Sequence, residues 1–203
     1  MIRLLKRMAF CLALTLAVWC GWIFAQRQQL NTQLIRFHVV ANSDTVQDQA
    51  VKLQVRDAVL GAFQDDLSQL TDMEQAKAYL QENLPKIQQI ANGVLRCWGM
   101  EPDAVVSLCR EWFDVRRYDT FSLPSGVYEA LRIELGQGQG HNWWCVAFPT
   151  LCLGATAQEF SQTAAVAGFD PALRQCLAGE RGYELRFFLL DALGQLEGQL
   201  FDR

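Results

Sequence analysis

The stretch GQGQGHNWWCVAFPTLCLG, residues 136–154, contains the side chains best suited to covalent chemistry: one histidine and two cysteines. A cysteine thiolate activated by a histidine base is the arrangement used by thiol hydrolases and transpeptidases. On an extended strand, His141 and Cys145 would lie on the same side but about 13 Å apart, so only a loop would bring them into contact. A cell-envelope thiol hydrolase or transpeptidase that uses Cys145 or Cys152 with His141 is therefore one hypothesis.

The same stretch lacks the pattern of a metal site or a phosphate-binding loop. A metal site would recruit His38 together with the histidine and cysteines of this stretch, but the sequence has no CxxC pair to complete it. A Walker-type loop needs Gly-Lys-Ser/Thr and a following helix, whereas Asn142 and two tryptophans follow these glycines. We expect no metal and no cofactor, and we interpret the glycines as a tight connection between strands.

The two cysteines of this stretch also fit a disulfide. Cys145 and Cys152 lie on either side of the turn-forming sequence FPTL, and closing this short loop would stabilise the fold by about 2–3 kcal/mol. Two free, buried thiols are the alternative. A disulfide would hold Trp143 and Trp144 in fixed positions, one facing the core and one available as an aromatic contact for a partner. That both tryptophans belong to the core is an equally good interpretation.

The N-terminal 25 residues have the composition of an export signal. Three basic residues in MIRLLKR precede MAFCLALTLAVWCGWIFA, an uncharged run of eighteen residues that is just long enough to span a bilayer. Ile23 and Ala25 occupy the positions that a signal peptidase would read, but bulky aromatic residues surround them. Residues 1–25 are therefore either a cleaved signal peptide or an N-terminal membrane anchor, and residues 26–203 are expected to form a single exported domain.

The exported part is acidic. Residues 26–203 contain 15 of the 18 basic residues and all 22 acidic ones, which gives this part a net charge of −7. Such a domain lacks the clusters of Lys and Arg that binding to a phosphate backbone requires, so we expect no nucleic-acid partner. With 51% hydrophobic and 20% charged residues, the chain has the composition of a globular protein that buries a core.

The first half of the exported part is typical of a strand followed by helices. Apolar residues alternate through QLIRFHVVA, residues 33–41, which predicts a core strand. Thr45 with Asp48 three positions later resembles a capping box, and the apolar spacing that follows predicts a helix over residues 46–66. A second helix begins near Asp72, and Pro85 is expected to kink or split it.

The second half consists mainly of predicted strands. AVVSLCREWFDV, VYEALRIEL and WWCVAF have β-rich or alternating patterns, with a turn at SLPSG between the first two. A weaker helical pattern covers residues 156–178, and YELRFFLLDAL fits either a strand or a buried helix. The order predicts an α+β fold: an N-terminal strand, two or three helices, then a mainly antiparallel sheet with a C-terminal helix.

Two stretches of the chain resemble the stage II sporulation protein R family of endospore-forming bacteria. They are LIRFHVVANSDTVQDQAVKLQVRDAV, residues 34–59, and FDVRRYDTFSLPSGVYEALRIELGQGQGHNWWCVAFPTLC, residues 113–152. Their order and the export segment before them also fit the family, whereas Ser125 and Thr150 stand where the family often has alanine and proline. The last part of the chain, after these stretches, shows no feature of the family.

The resemblance implies an exported signalling protein and not an enzyme. Proteins of this family are made in the forespore and enter the space between forespore and mother cell. There they activate a membrane-embedded aspartic protease of the mother cell, which processes the sigma factor E precursor. We therefore expect this chain in that space, either free or anchored to the membrane facing it. A structural component of the spore envelope is a further alternative.

The resembling stretches also supply candidates for partner binding or for the scaffold that supports it. These are Arg36, His38, Asn42, Ser43, Asp44, Arg56, Asp57, Asn142, Trp143 and Trp144. Simpler roles compete with binding: residues 42–44 would cap the helix that follows them, and Arg56 with Asp57 would form a surface ion pair. No catalytic residue is assigned.

Overall fold

The chain begins with a helix and not with a strand. The computed structural model describes residues 2–118, 121–150, 162–165, 168–178 and 184–201. Helix α1 (Ile2–Gln33) extends the apolar N-terminal run by about two turns and ends directly before the first strand. The predicted order with a strand first is therefore wrong, because the polar residues after the apolar run continue the helix that this run begins.

The next two elements confirm the predicted strand and helix. They are β1 (Ile35–Val40) and α2 (Val46–Ser68). Thr45 is the N-cap of α2, and its hydroxyl accepts a hydrogen bond from the backbone N–H of Asp48 at 3.2 Å. β1 differs from the expectation in one respect, because its second face is buried as well, including Arg36 and His38.

Helix α3 (Met73–Cys97) continues through Pro85 without a split. Asp72 is its N-cap and accepts a hydrogen bond from the backbone N–H of Glu74 at 2.7 Å. Pro85 is exposed, whereas Ile87 faces the core. The carbonyl that loses its N–H partner at Pro85 therefore belongs to the solvent side of the helix, where water can replace that partner.

Four strands form one mixed sheet in the order β2-β5-β1-β6. Besides β1, these are β2 (Val105–Phe113), β5 (Gly126–Glu134) and β6 (Asn142–Phe148), while β3 (Arg116–Arg117) and β4 (Ser122–Leu123) form a separate antiparallel pair. β2 is antiparallel to β5 and β6 is antiparallel to β1, as predicted. β1 and β5 are parallel, which requires the long crossover that α2 and α3 provide.

Apolar cores form on both faces of the sheet. On one face, Phe37 and Val39 of β1 pack with buried side chains of α2 and α3 such as Phe63. On the other face, Val146 packs with Leu30 at the end of α1 and with residues near the C-terminus. β1 contacts both layers, because Arg36 and His38 on its other face lie against Phe113 of the second core.

The C-terminal region is helical. Helices α4 (Pro171–Leu177) and α5 (Glu184–Phe201) confirm the predicted C-terminal helix, and α5 includes most of the segment whose pattern left strand or helix open. Within the weaker pattern of residues 156–178, residues 162–165 are also helical. Ser125 joins α5 to the sheet, because its backbone N–H donates to Oδ1 of Asp191 at 2.9 Å and its hydroxyl donates to the Asp191 carbonyl at 3.0 Å.

Candidate functional site

Three of the residues predicted to form a site, Asn42, Ser43 and Asp44, lie at the carboxyl end of β1. There the loop of residues 41–45 leaves the strand beside the glycine-rich loop of residues 136–141, which connects β5 to β6. The backbone N–H of Gly140 donates to the carbonyl of Ala41 at 2.9 Å, and that of Gln139 donates to Asn42 at 3.1 Å. We call these two segments the loop pair.

Asn42 and Ser43 connect the loop pair to the start of α2. The Asn42 amide donates to Oδ2 of Asp48 at 3.0 Å and accepts from the backbone N–H of Gln137 at 3.0 Å. The Ser43 hydroxyl donates to the same Asp48 oxygen. This hydroxyl lowers the pKa of Asp48 against the opposing effect of burial, with help from Asn42 and Thr45. Asp48 therefore remains a carboxylate that holds Asn42 and Ser43, and Asn42 in turn holds the glycine-rich loop.

Asp44 and His141 form the outer part of the loop pair. Oδ1 of Asp44 accepts a hydrogen bond from the backbone N–H of His141 at 2.6 Å and lies 2.6 Å from its Nδ1. The backbone hydrogen bond, followed by the imidazole, lowers the pKa of Asp44. Both side chains are exposed, so they offer a fixed carboxylate and imidazole to solvent or to a partner.

Lys52 supports the loop pair from inside. Its side chain is 6% exposed, and Nζ donates to the carbonyl oxygen of His141 at 2.9 Å. Burial lowers the pKa of Lys52, while the nearby charge of Asp44 acts in the opposite direction. A buried ammonium thus holds the glycine-rich loop by its main chain, whatever the side chain at position 141.

Two of the glycines are required by the close approach of the loops. Gly136 has φ +57°, and a β-carbon there would lie 2.3 Å from Oδ1 of Asn42. A β-carbon at Gly140 would lie 2.3 Å from the carbonyl oxygen of Ser43. The prediction of a tight connection between strands is confirmed, and the connection also packs against the segment that caps α2.

A second polar group lies on the β1 face opposite α2 and α3, and we call it the strand network. It consists of His38, Glu111 and Arg132 on the adjacent strands β1, β2 and β5. His38 Nε2 lies 2.9 Å from Oε2 of Glu111. Arg132 donates from Nη1 to Oε1 of Glu111 at 3.1 Å and also pairs with Glu134.

The strand network keeps Glu111 ionised. Burial alone would raise the pKa of this carboxyl, but His38 and then Arg132 outweigh burial and lower the pKa from 4.5 to about 2. Cys109 is also close, with its Sγ 3.4 Å from Oε1 of Glu111, and burial raises the pKa of its thiol. The network is therefore a charged group with a neutral thiol beside it at neutral pH.

The two tryptophans lie on opposite faces of β6, and both are partly buried. Trp143 packs edge-on against Phe37, with ring centroids 5.7 Å apart, and the Arg56 guanidinium lies 4.9 Å from its ring. Trp144 stacks on His38 on the other face. Each indole therefore packs against the core and is also partly exposed. The two interpretations of the sequence, a core residue and an aromatic contact for a partner, thus each hold in part.

The contacts of three further candidates are of the kind that stabilises a fold. These candidates are Arg36, Asn142 and the Arg56–Asp57 pair. Arg36 is fully buried, with its guanidinium 4.5 Å from the ring of Phe113 and a hydrogen bond of 3.2 Å to the Tyr118 hydroxyl. Asn142 begins β6 and pairs with Val40. Arg56 and Asp57 form an exposed ion pair with a 2.7 Å hydrogen bond, as the simpler interpretation expects.

Comparison with known proteins shows where this arrangement belongs. The family model for stage II sporulation protein R matches residues 31–158, which contain the loop pair and the strand network. The chain belongs to the stage II sporulation protein R family. It is also 31% identical to stage II sporulation protein R of Bacillus subtilis (strain 168), over 182 aligned residues that cover 81% of each chain. No solved structure matches it.

In this stage II sporulation protein R family member, Cys145 and His141 have different partners. Cys145 is 3% exposed, carries a free thiol and has its Sγ 3.9 Å from the carbonyl oxygen of Val146. His141 is instead exposed beside Asp44. In these positions, Cys145 and His141 cannot act together as a nucleophile and its base. Cys152 lies outside the described residues, so the disulfide and the use of Cys152 as a nucleophile stay predictions.

Four residues that support the site in this family member were not predicted from the sequence. They are Asp48, Lys52, Glu111 and Arg132. Asp48 was noted only for its capping position, and Lys52 was not singled out. Glu111 was the better clue, because strand alternation puts a lone carboxylate on the same face as Phe113. Among the described residues, no group of three His, Cys, Asp or Glu side chains could hold a metal ion.

Proposed function

We propose that this chain is an exported sporulation signal that acts by binding. Its target would be a membrane-embedded aspartic protease of the mother cell, which it activates to process the sigma factor E precursor. Membership of the stage II sporulation protein R family supports the sporulation role. The apolar helix α1, which is long enough to cross a membrane, is compatible with export into the space between the two cells.

The observation that carries the binding proposal is the fixed geometry of the loop pair. Two exposed polar side chains, Asp44 and His141, are held in place by hydrogen bonds from Asn42 and Ser43 to Asp48 and from Lys52 to the loop backbone. A surface that is ordered before binding loses less conformational entropy when a partner arrives. Trp143, two positions after His141 in the chain, extends this surface by its aromatic and cationic contact with Arg56.

The test is co-expression of this chain, a matched membrane protease and the sigma factor E precursor in a host that does not sporulate. Precursor cleavage read on a gel should require both this chain and its export. If cleavage does not occur with a well-expressed matched protease, the activator proposal fails. If cleavage occurs without export of the chain, the extracytoplasmic location fails while the activation remains.

Variants in the same assay test the contact surface. Asp44→Asn combined with His141→Ala should strongly reduce cleavage while leaving the fold intact, because both side chains are exposed. Glu82→Gln is the matched control, an exposed carboxylate on α3 far along the chain from the loop pair, and it should cleave normally. Full cleavage by the double variant would exclude these two side chains from the contact.

A further inference from the structure

Strand β2 forms one edge of the four-stranded sheet. It pairs with β5 over all nine of its residues, Val105–Phe113, and no other described strand pairs with its outer side. Among the described residues, no main-chain hydrogen bond from a turn, a loop or a helix end reaches residues 105–113 either. The outer N–H and C=O groups of β2 can therefore pair with a strand of another chain.

This edge lacks the features by which most proteins protect a free strand. Protected edges are usually short, or they are interrupted by a proline or a β-bulge. β2 has nine residues, contains no proline and keeps one register with β5 from end to end. The opposite edge strand, β6, has seven residues, and its pairing with β1 shifts register between Ile35 and Arg36. β2 is therefore the better template for pairing with another chain.

The sequence of β2 indicates that this other chain is a second copy. When two identical strands pair antiparallel about a two-fold axis normal to the sheet, residues equally far from the axis face each other. Cys109 is the central residue of β2, so all nine residues pair only in the register that places Cys109 opposite its counterpart. Registers centred on Arg110 or Glu111 would place like charges opposite each other, which is unfavourable.

In the register centred on Cys109, each charged or aromatic residue of β2 faces an uncharged residue of the second copy. The pairs are Arg110 with Leu108, Glu111 with Ser107, Trp112 with Val106, and Phe113 with Val105. The last two combine an aromatic with a β-branched side chain, which is a favourable cross-strand combination. Val105 is 59% exposed and Trp112 is 36% exposed in the single chain, so pairing would also cover apolar surface.

We propose that the protein forms a dimer through antiparallel pairing of β2 with β2 of a second copy, with Cys109 at the two-fold axis. The two four-stranded sheets then form one continuous sheet. The Cys109 thiol is free and partly exposed, and its β-carbon would lie about 4.5–5.5 Å from that of its counterpart. The dimer does not require a bond between the two sulfurs, but this short distance makes the register measurable. The inference does not depend on the proposed activation of a protease.

The first test is cross-linking of the full chain in detergent solution. Cys109 is kept and the other cysteines are replaced by alanine. Dioxygen, with copper–phenanthroline as catalyst, accepts the two electrons and two protons that the thiols release when a disulfide forms. We expect a linked dimer on a non-reducing gel. The control carries Cys109→Ser and Ser107→Cys, and it should stay unlinked because its thiols would lie about 14 Å apart in the proposed register.

A pair of charge variants tests the same register without cysteine chemistry. Leu108→Glu would place a carboxylate opposite Arg110 twice in each dimer, which should tighten the dimer by roughly two- to thirty-fold. Leu108→Lys would place like charges there and should weaken the dimer by a similar factor. Leu108 is partly buried, so both variants disturb the fold to a similar extent, and circular dichroism verifies that each is folded. Sedimentation equilibrium in density-matched detergent measures the dissociation constants.

Three results would overturn the proposal. One is cross-linking of the control that equals cross-linking through Cys109. Another is the absence of any linked dimer under conditions in which Cys109 is readily alkylated. The third is a dissociation constant that is the same for Leu108→Glu and Leu108→Lys, or a chain that stays monomeric in both variants.

Discussion

The imidazole of His38 lies flat against the indole of Trp144, with ring centroids 4.8 Å apart and planes inclined by 3°. The same imidazole is 2.9 Å from Glu111 on its edge. Trp144 therefore covers one side of the His38–Glu111 contact, whose histidine is only 2% exposed. Through this contact, the stretch of residues 136–154, which suggested covalent chemistry in the sequence, is joined to the charged side chains of the strand network.

Glu111→Gln should lower the free energy of unfolding in a pH-dependent way. In the folded protein the pKa of Glu111 is about 2, below its usual 4.5, so its stabilising effect is present above pH 4.5 and is lost as pH falls towards 2. We expect a loss of about 2 kcal/mol near neutral pH. Urea unfolding of the detergent-solubilised protein at about pH 7 and about pH 3 should show this loss shrinking by more than half. A loss that is equal at both pH values would contradict this role for Glu111.

Trp144→Ala should destabilise the protein and also weaken the His38–Glu111 pair. Loss of the aromatic contacts should cost about 2–3 kcal/mol for a partly buried tryptophan, and water would then screen the pair. A double-mutant cycle with Glu111→Gln measures this coupling by urea unfolding. Trp143→Ala, on the opposite face, is the matched control and should lose stability without coupling to Glu111. Additive effects of Trp144→Ala and Glu111→Gln would show that the indole does not protect the pair.

Gly140→Ala should separate the two loops of the loop pair. The added methyl group would meet the carbonyl oxygen of Ser43, and relieving this clash should cost about 1–3 kcal/mol. Gly93→Ala is the control, because Gly93 lies inside α3 and a β-carbon there meets no atom within 4 Å. That control should gain about 0.5–1 kcal/mol. Thermal unfolding compares the variants, and an unchanged Tm for Gly140→Ala would argue against the close approach.

The state of Cys145 can be measured by alkylation. Because this thiol is free and buried in the structure, we expect it to resist alkylation in the folded protein and to react after unfolding without reductant. Peptide mass analysis locates the modified residue. If Cys145 and Cys152 both stay unmodified until a reductant is added, the disulfide predicted from their spacing forms instead.

Local patterns in the sequence were sufficient for most individual elements. Alternation identified β1 and β5, and the Thr45–Asp48 spacing located the start of α2, because these signals depend on residues close together in the chain. The effect of Pro85 was not predictable from its position alone. Whether proline ends a helix depends on which side of the helix faces solvent, and that is decided by tertiary packing.

The site was predicted only where its members are neighbours in the sequence. Asn42, Ser43 and Asp44 were identified together with the glycine-rich loop, but the contact between these segments was not expected. The pairing of His38 with Glu111 depends on the strand order, and β1 reaches β2 only through the parallel strand β5. No local pattern determines that order, so the strand network could not be derived before the fold was known.

The central position of β1 constrains how the protein folds. β1 ends at Val40, whereas its neighbours begin at Gly126 and Asn142. The sheet therefore cannot form around β1 until most of the chain is available, and contacts between such distant segments slow folding. During that interval an apolar strand with free backbone groups is prone to aggregation, so a chaperone that covers β1 would increase the yield of folded protein.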